Sequence, residues 1–153
     1  MATHTGGCLC EAVRFEVAEP LTRIEVCHCS RCRRSYGVGF AATVYARSAG
    51  FSWTRGRDAV TAYDAPLRTS PPAYRHTFCA RCGSPLPIVR DDFGFVEIPV
   101  GTLDRTPDRP PAYEIFARSK PPWLPASVAG RSFDAAAPRA EHVARELAGK
   151  RDR

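Results

Sequence analysis

Apolar and polar residues alternate with a period of two from near the N-terminus to about Lys120, and that period marks half-buried strands. Val13, Phe15 and Val17 share one face while Arg14 and Glu16 take the other, and Ile24 and Val26 repeat the pattern. Further strands are expected at Val38 to Ala46, Ala59 to Tyr63, Tyr74 to Phe78, Phe95 to Val100 and Tyr113 to Ala117. Turn signals punctuate them, notably Asp91-Asp92-Phe93-Gly94 and the prolines at 71 and 72. The pattern predicts a mainly β fold of antiparallel sheets.

Only the C-terminal end carries a helical period. After Pro138, the residues Ala140, Val143, Ala144 and Leu147 fall on one stripe, which predicts one short amphipathic helix. Its apolar face is small, so weak docking or fraying is expected, with Gly149 to Arg153 mobile. The 14 prolines limit helix elsewhere, and Pro99 argues that its strand lies at an edge or carries a bulge.

At 153 residues the chain fits one domain, and a chain of this size buries roughly 70% of its unfolded surface. MATHTGG has neither a basic nor an apolar leader region, and the longest apolar stretch, around Val38 to Ala46, falls well short of the roughly 20 residues that cross a bilayer. A soluble, cytoplasmic protein is expected, with no membrane partner. The net charge of +6 raises the question of nucleic acid. Yet the basic residues are scattered among acidic ones, with no basic stripe interleaved with aromatics, so no nucleic-acid partner is expected. The exception is Arg31, Arg33 and Arg34, which would make their surroundings electropositive, draw in an anionic small molecule and favour ionised thiols.

Those arginines border the densest chemistry in the chain. Its seven cysteines form three tight clusters: Cys8 with Cys10, Cys27 with Cys29 and Cys32, and Cys79 with Cys82. Sulfurs one or two residues apart converge on one ion far more readily than they pair covalently, so the pattern reads as metal, with Zn²⁺ the natural thiolate-bound ion. Two four-thiolate sites would need eight sulfurs, so seven divide into a closed set of four and a set of three with an open position. Cys79-Ala-Arg-Cys82-Gly83 is a knuckle turn, with Gly83 supplying a left-handed conformation, and Cys8 and Cys10 complete its four ligands.

Cys27, Cys29 and Cys32 then form the candidate catalytic site, where a labile metal is expected. The alternative is a second structural zinc with a histidine as fourth ligand. His28 lies between two ligands and should turn away to bond a carbonyl, His76 should pack on its strand with Tyr74 and Phe78, and His4 and His142 should lie at the surface. A redox role for Cys79 and Cys82 is disfavoured because Ser84-Pro85-Leu86-Pro87 cannot open a helix after them.

Several motifs in order carry a family resemblance: Gly6-Gly7-Cys8-x-Cys10 with Val13-Arg14-Phe15, Cys27-His28-Cys29-Ser30-x-Cys32-Arg33-Arg34, Cys79-x-x-Cys82-Gly83-Ser84, and Ile115-Phe116 with Ser119-Lys120-Pro121-x-Trp123. Together they resemble the glutathione-dependent formaldehyde-activating enzyme family, also called the centromere protein V family, over about residues 5–124. Residues 125–153 would then be a C-terminal extension carrying the short helix. The resemblance implies an Mss4-like zinc-binding fold, a structural zinc on Cys8, Cys10, Cys79 and Cys82, and a catalytic zinc on Cys27, Cys29 and Cys32.

It also implies a carbon-sulfur lyase acting on a glutathione-aldehyde adduct such as S-(hydroxymethyl)glutathione or a related small thiol compound. The other reading left open is a zinc-stabilised binding module without catalysis. Two positions depart from the family: Glu11 stands where glycine is usual, and Glu114 where many members have histidine. Glu114 would serve as an acid or base or, as alternation with Tyr113 and Ile115 favours, simply face solvent from its strand. Trp123 would wall a pocket or cap the core, Trp53 would be core, and Arg33 or Arg34 would reach a glutathione carboxylate or simply face solvent.

Overall fold

The computed structural model describes residues 2–18, 20–66, 74–135 and 139–149, with the side chains of residues 139–142 excepted. The expected turn at prolines 71 and 72, the Pro138 helix start and the tail beyond Gly149 lie outside them.

The alternating segments form strands much as the period predicts. β1 (Thr3–Gly7), β2 (Arg14–Ala18) and β5 (Phe51–Arg55) make a three-stranded antiparallel sheet in the order β1-β2-β5. A six-stranded sheet contains β3 (Glu25–Cys27), β4 (Ala41–Arg47), β8 (Ile88–Arg90), β9 (Phe95–Pro99), β10 (Tyr113–Ile115) and β11 (Arg131–Ser132), in the order β11-β10-β3-β4-β9-β8. β6 (Val60–Asp64) and β7 (Arg75–Cys79) form a separate antiparallel pair.

The main core lies where Phe15 and Val17 of β2 meet Val44 and Ala46 of β4 and Val96 and Ile98 of β9. Val13, expected on the same face as Phe15, is also buried, but a register irregularity between Arg14 and Phe15 turns it into a second cluster with Cys8, Cys79 and Leu86. Trp53 is only half-buried; it bridges these clusters, its ring edge-on to both Phe15 and Phe51.

Four expectations need correction. The fold is mainly β, but β10 runs parallel to both β3 and β11. β9 lies inside its sheet, between β4 and β8; Pro99 is tolerated because it is the last residue of the strand, beyond the Glu97 at which pairing with β8 stops. A second helix exists, α1 (Ser30–Tyr36), which begins at Cys29 and stops at Gly37 with φ 67°. The C-terminal helix α2 (Arg139–Leu147) is held by more than a weak apolar face. Val143 and Leu147 pack on Tyr45 and Phe95, Arg23 pairs with Glu146 at 2.8 Å, and Arg47 donates to the Leu147 carbonyl, whereas Ala144 is exposed.

No helix among the described residues is long and apolar enough to cross a membrane.

Candidate functional site

Cys8 and Cys10 sit just past the end of β1, and Cys79 ends β7. The turn from Cys79 to Cys82 is closed by the Gly83 N–H donating to the Cys79 carbonyl, and Gly83 takes the expected left-handed conformation, φ 73°. All four sulfurs lie within 4.8 Å of one another. The Cys8–Cys10 and Cys10–Cys79 separations are 3.5 and 3.9 Å, and thiolates about 2.3 Å from a tetrahedral ion would stand about 3.8 Å apart, so the donor set fits such an ion. A Ser84 hydroxyl 3.2 Å away, with help from backbone N–H groups, pulls the Cys82 thiol down to about 5, toward the thiolate that metal binding requires.

The glycines before Cys8 have a steric reason. A Cβ on Gly6 would stand 2.3 Å from the Thr102 carbonyl oxygen, and one on Gly7 would stand 2.4 Å from that of Val13.

The second cluster is built where β3 passes into α1. Cys27 is the last residue of β3, Cys29 is the N-cap of α1, its sulfur accepting from the Cys32 N–H at 3.3 Å, and Cys32 lies on the first turn. Their three sulfurs are also within 4.8 Å of one another, and no histidine or carboxylate among the described residues joins the group as a fourth ligand. Hydrogen bonds from the Cys27 and Cys32 thiols push Cys29 down, and the same contacts, with burial, push Cys27 and Cys32 up.

His28 turns away from the sulfurs, as expected, but its partner is not a carbonyl. Its Nε2 lies 2.7 Å from Glu114 Oε2, and both side chains are completely buried. Glu114 thus corrects the solvent-facing expectation: β10 is paired on both edges and all three of its residues are buried, so alternation does not sort them into inside and outside. Burial pushes the Glu114 carboxyl up, but His28 and Lys120 together hold it below its usual range. Lys120 Nζ is 3.3 Å from Oε1, and Ser127 Oγ is 3.3 Å from the same oxygen.

Against this geometry, the sequence model of the family described as "glutathione-dependent formaldehyde-activating enzyme" matches residues 3–119. The chain belongs to that family. A relative from Halomonas elongata, provisionally named a glutathione-dependent formaldehyde-activating enzyme, is 31% identical over 123 residues, covering 78% of each chain. The crystal structure of a Rhodobacter sphaeroides protein superposes with a TM-score of 0.52 at 29% identity, covering 69% of this chain and 92% of that one.

Glu11 adopts φ 59°, a left-handed conformation that favours glycine, and the turn is closed by the Glu11 N–H bonded to the Cys8 carbonyl at 3.0 Å. Glu114 places a buried carboxylate against the residue between two of the three cysteines.

The remaining candidates distribute as follows. Arg33 is half-buried and donates through Nε to the His28 carbonyl, Arg31 donates to the Pro66 carbonyl, and Arg34 is exposed. His76 packs on its strand, its ring stacked with Phe78 at 5.5 Å. His4 is half-buried in β1 opposite Val17, and the side chain of His142 lies outside the described residues. Trp123 is 70% exposed and touches Gly39, so it does not cap the core.

Sequence reasoning missed Tyr74 as a neighbour of the cysteines. It packs against the cluster of Cys27 and Cys32, its hydroxyl meets Ser35, and burial together with the Cys32 sulfur keeps the phenol protonated far above neutral pH. Nothing in a strand-like Tyr-x-His-x-Phe run signals that contact.

A cleft of about 550 Å³ runs between the first knuckle and the end of α1, lined by Cys8, Arg14, Tyr36, Val38, Phe40 and Asp104 among others. Tyr36 is about one helical turn from Cys32.

Proposed function

We propose that this protein is a zinc-dependent carbon-sulfur lyase that makes or breaks the bond between a glutathione sulfur and an aldehyde carbon, with S-(hydroxymethyl)glutathione the simplest adduct. The observation that carries the reading is the pair of unequal thiol clusters, four sulfurs and three, in a chain that belongs to a glutathione-dependent formaldehyde-activating family. Four thiolates satisfy a tetrahedral ion and leave it inert, whereas three leave one position for a ligand.

In the synthetic direction the thiol sulfur of glutathione bonds to the formaldehyde carbon, the carbonyl π bond breaks, and the proton lost by the thiol ends on the new hydroxyl. The lytic direction reverses each change. Zinc bound by Cys27, Cys29 and Cys32 would lower the pKa of a substrate thiol and polarise an aldehyde oxygen. The chain's own groups do the rest. Arg33 pins the His28 carbonyl and with it the turn that presents the sulfurs. Tyr74, kept protonated, donates its hydroxyl to Ser35, whose own hydroxyl donates to the Cys32 carbonyl, so the pair braces the helical turn that carries Cys32. The cleft of about 550 Å³ reaches α1 at Tyr36, and none of the three cysteines lines it.

The test is exchange between free and glutathione-bound formaldehyde, followed by NMR of carbon-13-labelled formaldehyde. The zinc-loaded protein is expected to accelerate the exchange above the spontaneous rate, and Cys29→Ser to abolish the acceleration. Wild-type exchange at the spontaneous rate would overturn the proposal.

A further inference from the structure

His28, the residue between Cys27 and Cys29, is tied at three points. The His28 N–H donates to the Ile115 carbonyl at 3.1 Å, its carbonyl accepts from Arg33 Nε at 3.1 Å, and its ring meets Glu114 at 2.7 Å. Ile115 lies opposite Cys27 in the parallel register of β3 and β10, so the strand that carries Glu114 is the strand that flanks the cysteine turn.

Two nitrogens meet the Glu114 carboxylate, Lys120 Nζ at both oxygens and His28 Nε2 at one, while the Ser127 hydroxyl stands 3.3 Å from Oε1 and donates over 2.6 Å to the Ala129 carbonyl. The other ring nitrogen of His28, Nδ1, is buried with no hydrogen-bond partner. An unpaired acceptor there costs less than an unpaired N–H, so the hydrogen belongs on Nε2, aimed at Glu114.

We infer that Glu114 acts through His28 as a positioning residue for the three-cysteine site, fixing the Cys27-His28-Cys29 turn so that its sulfurs stand ready for one ion. The inference rests on the reading above that these cysteines hold a metal. Outer groups that orient a ligand set change its metal affinity by about 10–100-fold when removed. Here the outer group orients the backbone that joins two ligands. Gln cannot replace Glu114 without conflict, since one end of its amide is itself a donor and Lys120 Nζ, which accepts nothing, meets both carboxylate oxygens.

The test is competitive release of zinc from the full-length, zinc-loaded protein, titrated with a chelator and read with a colorimetric zinc reporter. Wild type is expected to release two ions in two steps, the weaker from the three-cysteine site. Glu114→Gln is expected to move the weaker step by about 10–100-fold in chelator concentration and leave the tighter step in place. Glu114→Asp keeps the charge but draws the carboxylate back from His28; as the gentler change it guards against misfolding, and it is expected to move the same step in the same direction by less.

A weaker step unmoved in both variants would overturn the inference. So would equal movement of both steps in both variants, which would mark a general loss of stability. Release of a single ion by the wild type would instead overturn the metal reading of Cys27, Cys29 and Cys32, and the inference with it.

Discussion

The sulfurs of Cys10 and Cys79 lie 3.9 Å apart although 69 positions separate them in the chain. An ion held between them closes the loop that contains α1 and the second cysteine cluster. Binding by four thiolates supplies about 10–16 kcal/mol of apparent free energy to small zinc domains, comparable with the whole stability of a chain this size. Cys79→Ser, or exhaustive chelation, is therefore expected to abolish the cooperative thermal transition seen by circular dichroism. A melting temperature within a degree or two of the zinc-loaded wild type would contradict a structural role for this cluster.

Cys29→Ser should behave differently. It removes one of three ligands at a site that closes no long loop, so the bound metal is expected to fall from two ions per chain to one while the thermal transition persists. Glutathione-dependent turnover should fall by more than about a hundredfold, beyond the loss usual for an outer-sphere partner. Metal analysis and calorimetry on the same preparation check both halves.

Glu11 holds a left-handed backbone that costs a non-glycine residue about 1–2 kcal/mol. Glu11→Gly is expected to stabilise the protein by about 1 kcal/mol, less than the full strain because glycine also loses more entropy on folding. The midpoint of urea unfolding should rise with an unchanged slope; a fall would show that the turn carries no strain.

Glu114 has a folded pKa below its ordinary 4.5, since His28 and Lys120 outweigh its burial. A depressed carboxyl stabilises the fold above its unfolded value, and that contribution is lost as pH falls through the folded one. The stability difference between Glu114 and Glu114→Gln proteins should thus be constant above about pH 4.5 and shrink below it. Urea unfolding across the acid range, in the Cys29→Ser background so that metal at the neighbouring site does not enter, measures this. A difference independent of pH would show that the carboxylate is not preferentially ionised in the fold.

The β2 strand was legible because Phe15 and Val17 are buried on one face while Glu16 between them is exposed, so period two reports burial directly. The four-cysteine knuckle was legible because tight cysteine pairs leave few ways to arrange four donors. α1 was not, because its seven residues, Ser-Arg-Cys-Arg-Arg-Ser-Tyr, carry no apolar stripe. Glu114 was hidden for a different reason. Alternation assumes one wet face, and β10 has none. The partner that decides its role, His28, lies 86 positions away in the chain, and no local pattern links the two.

The most direct test of a three-thiolate site with an open position is the visible spectrum of the cobalt-substituted protein, with and without glutathione. Both clusters should load, and glutathione should change the ligand-field bands of one ion only, a change that Cys29→Ser removes. Spectra that are identical with and without glutathione, at two cobalt ions per chain, would mean that both sites are closed, and the lyase reading would fail.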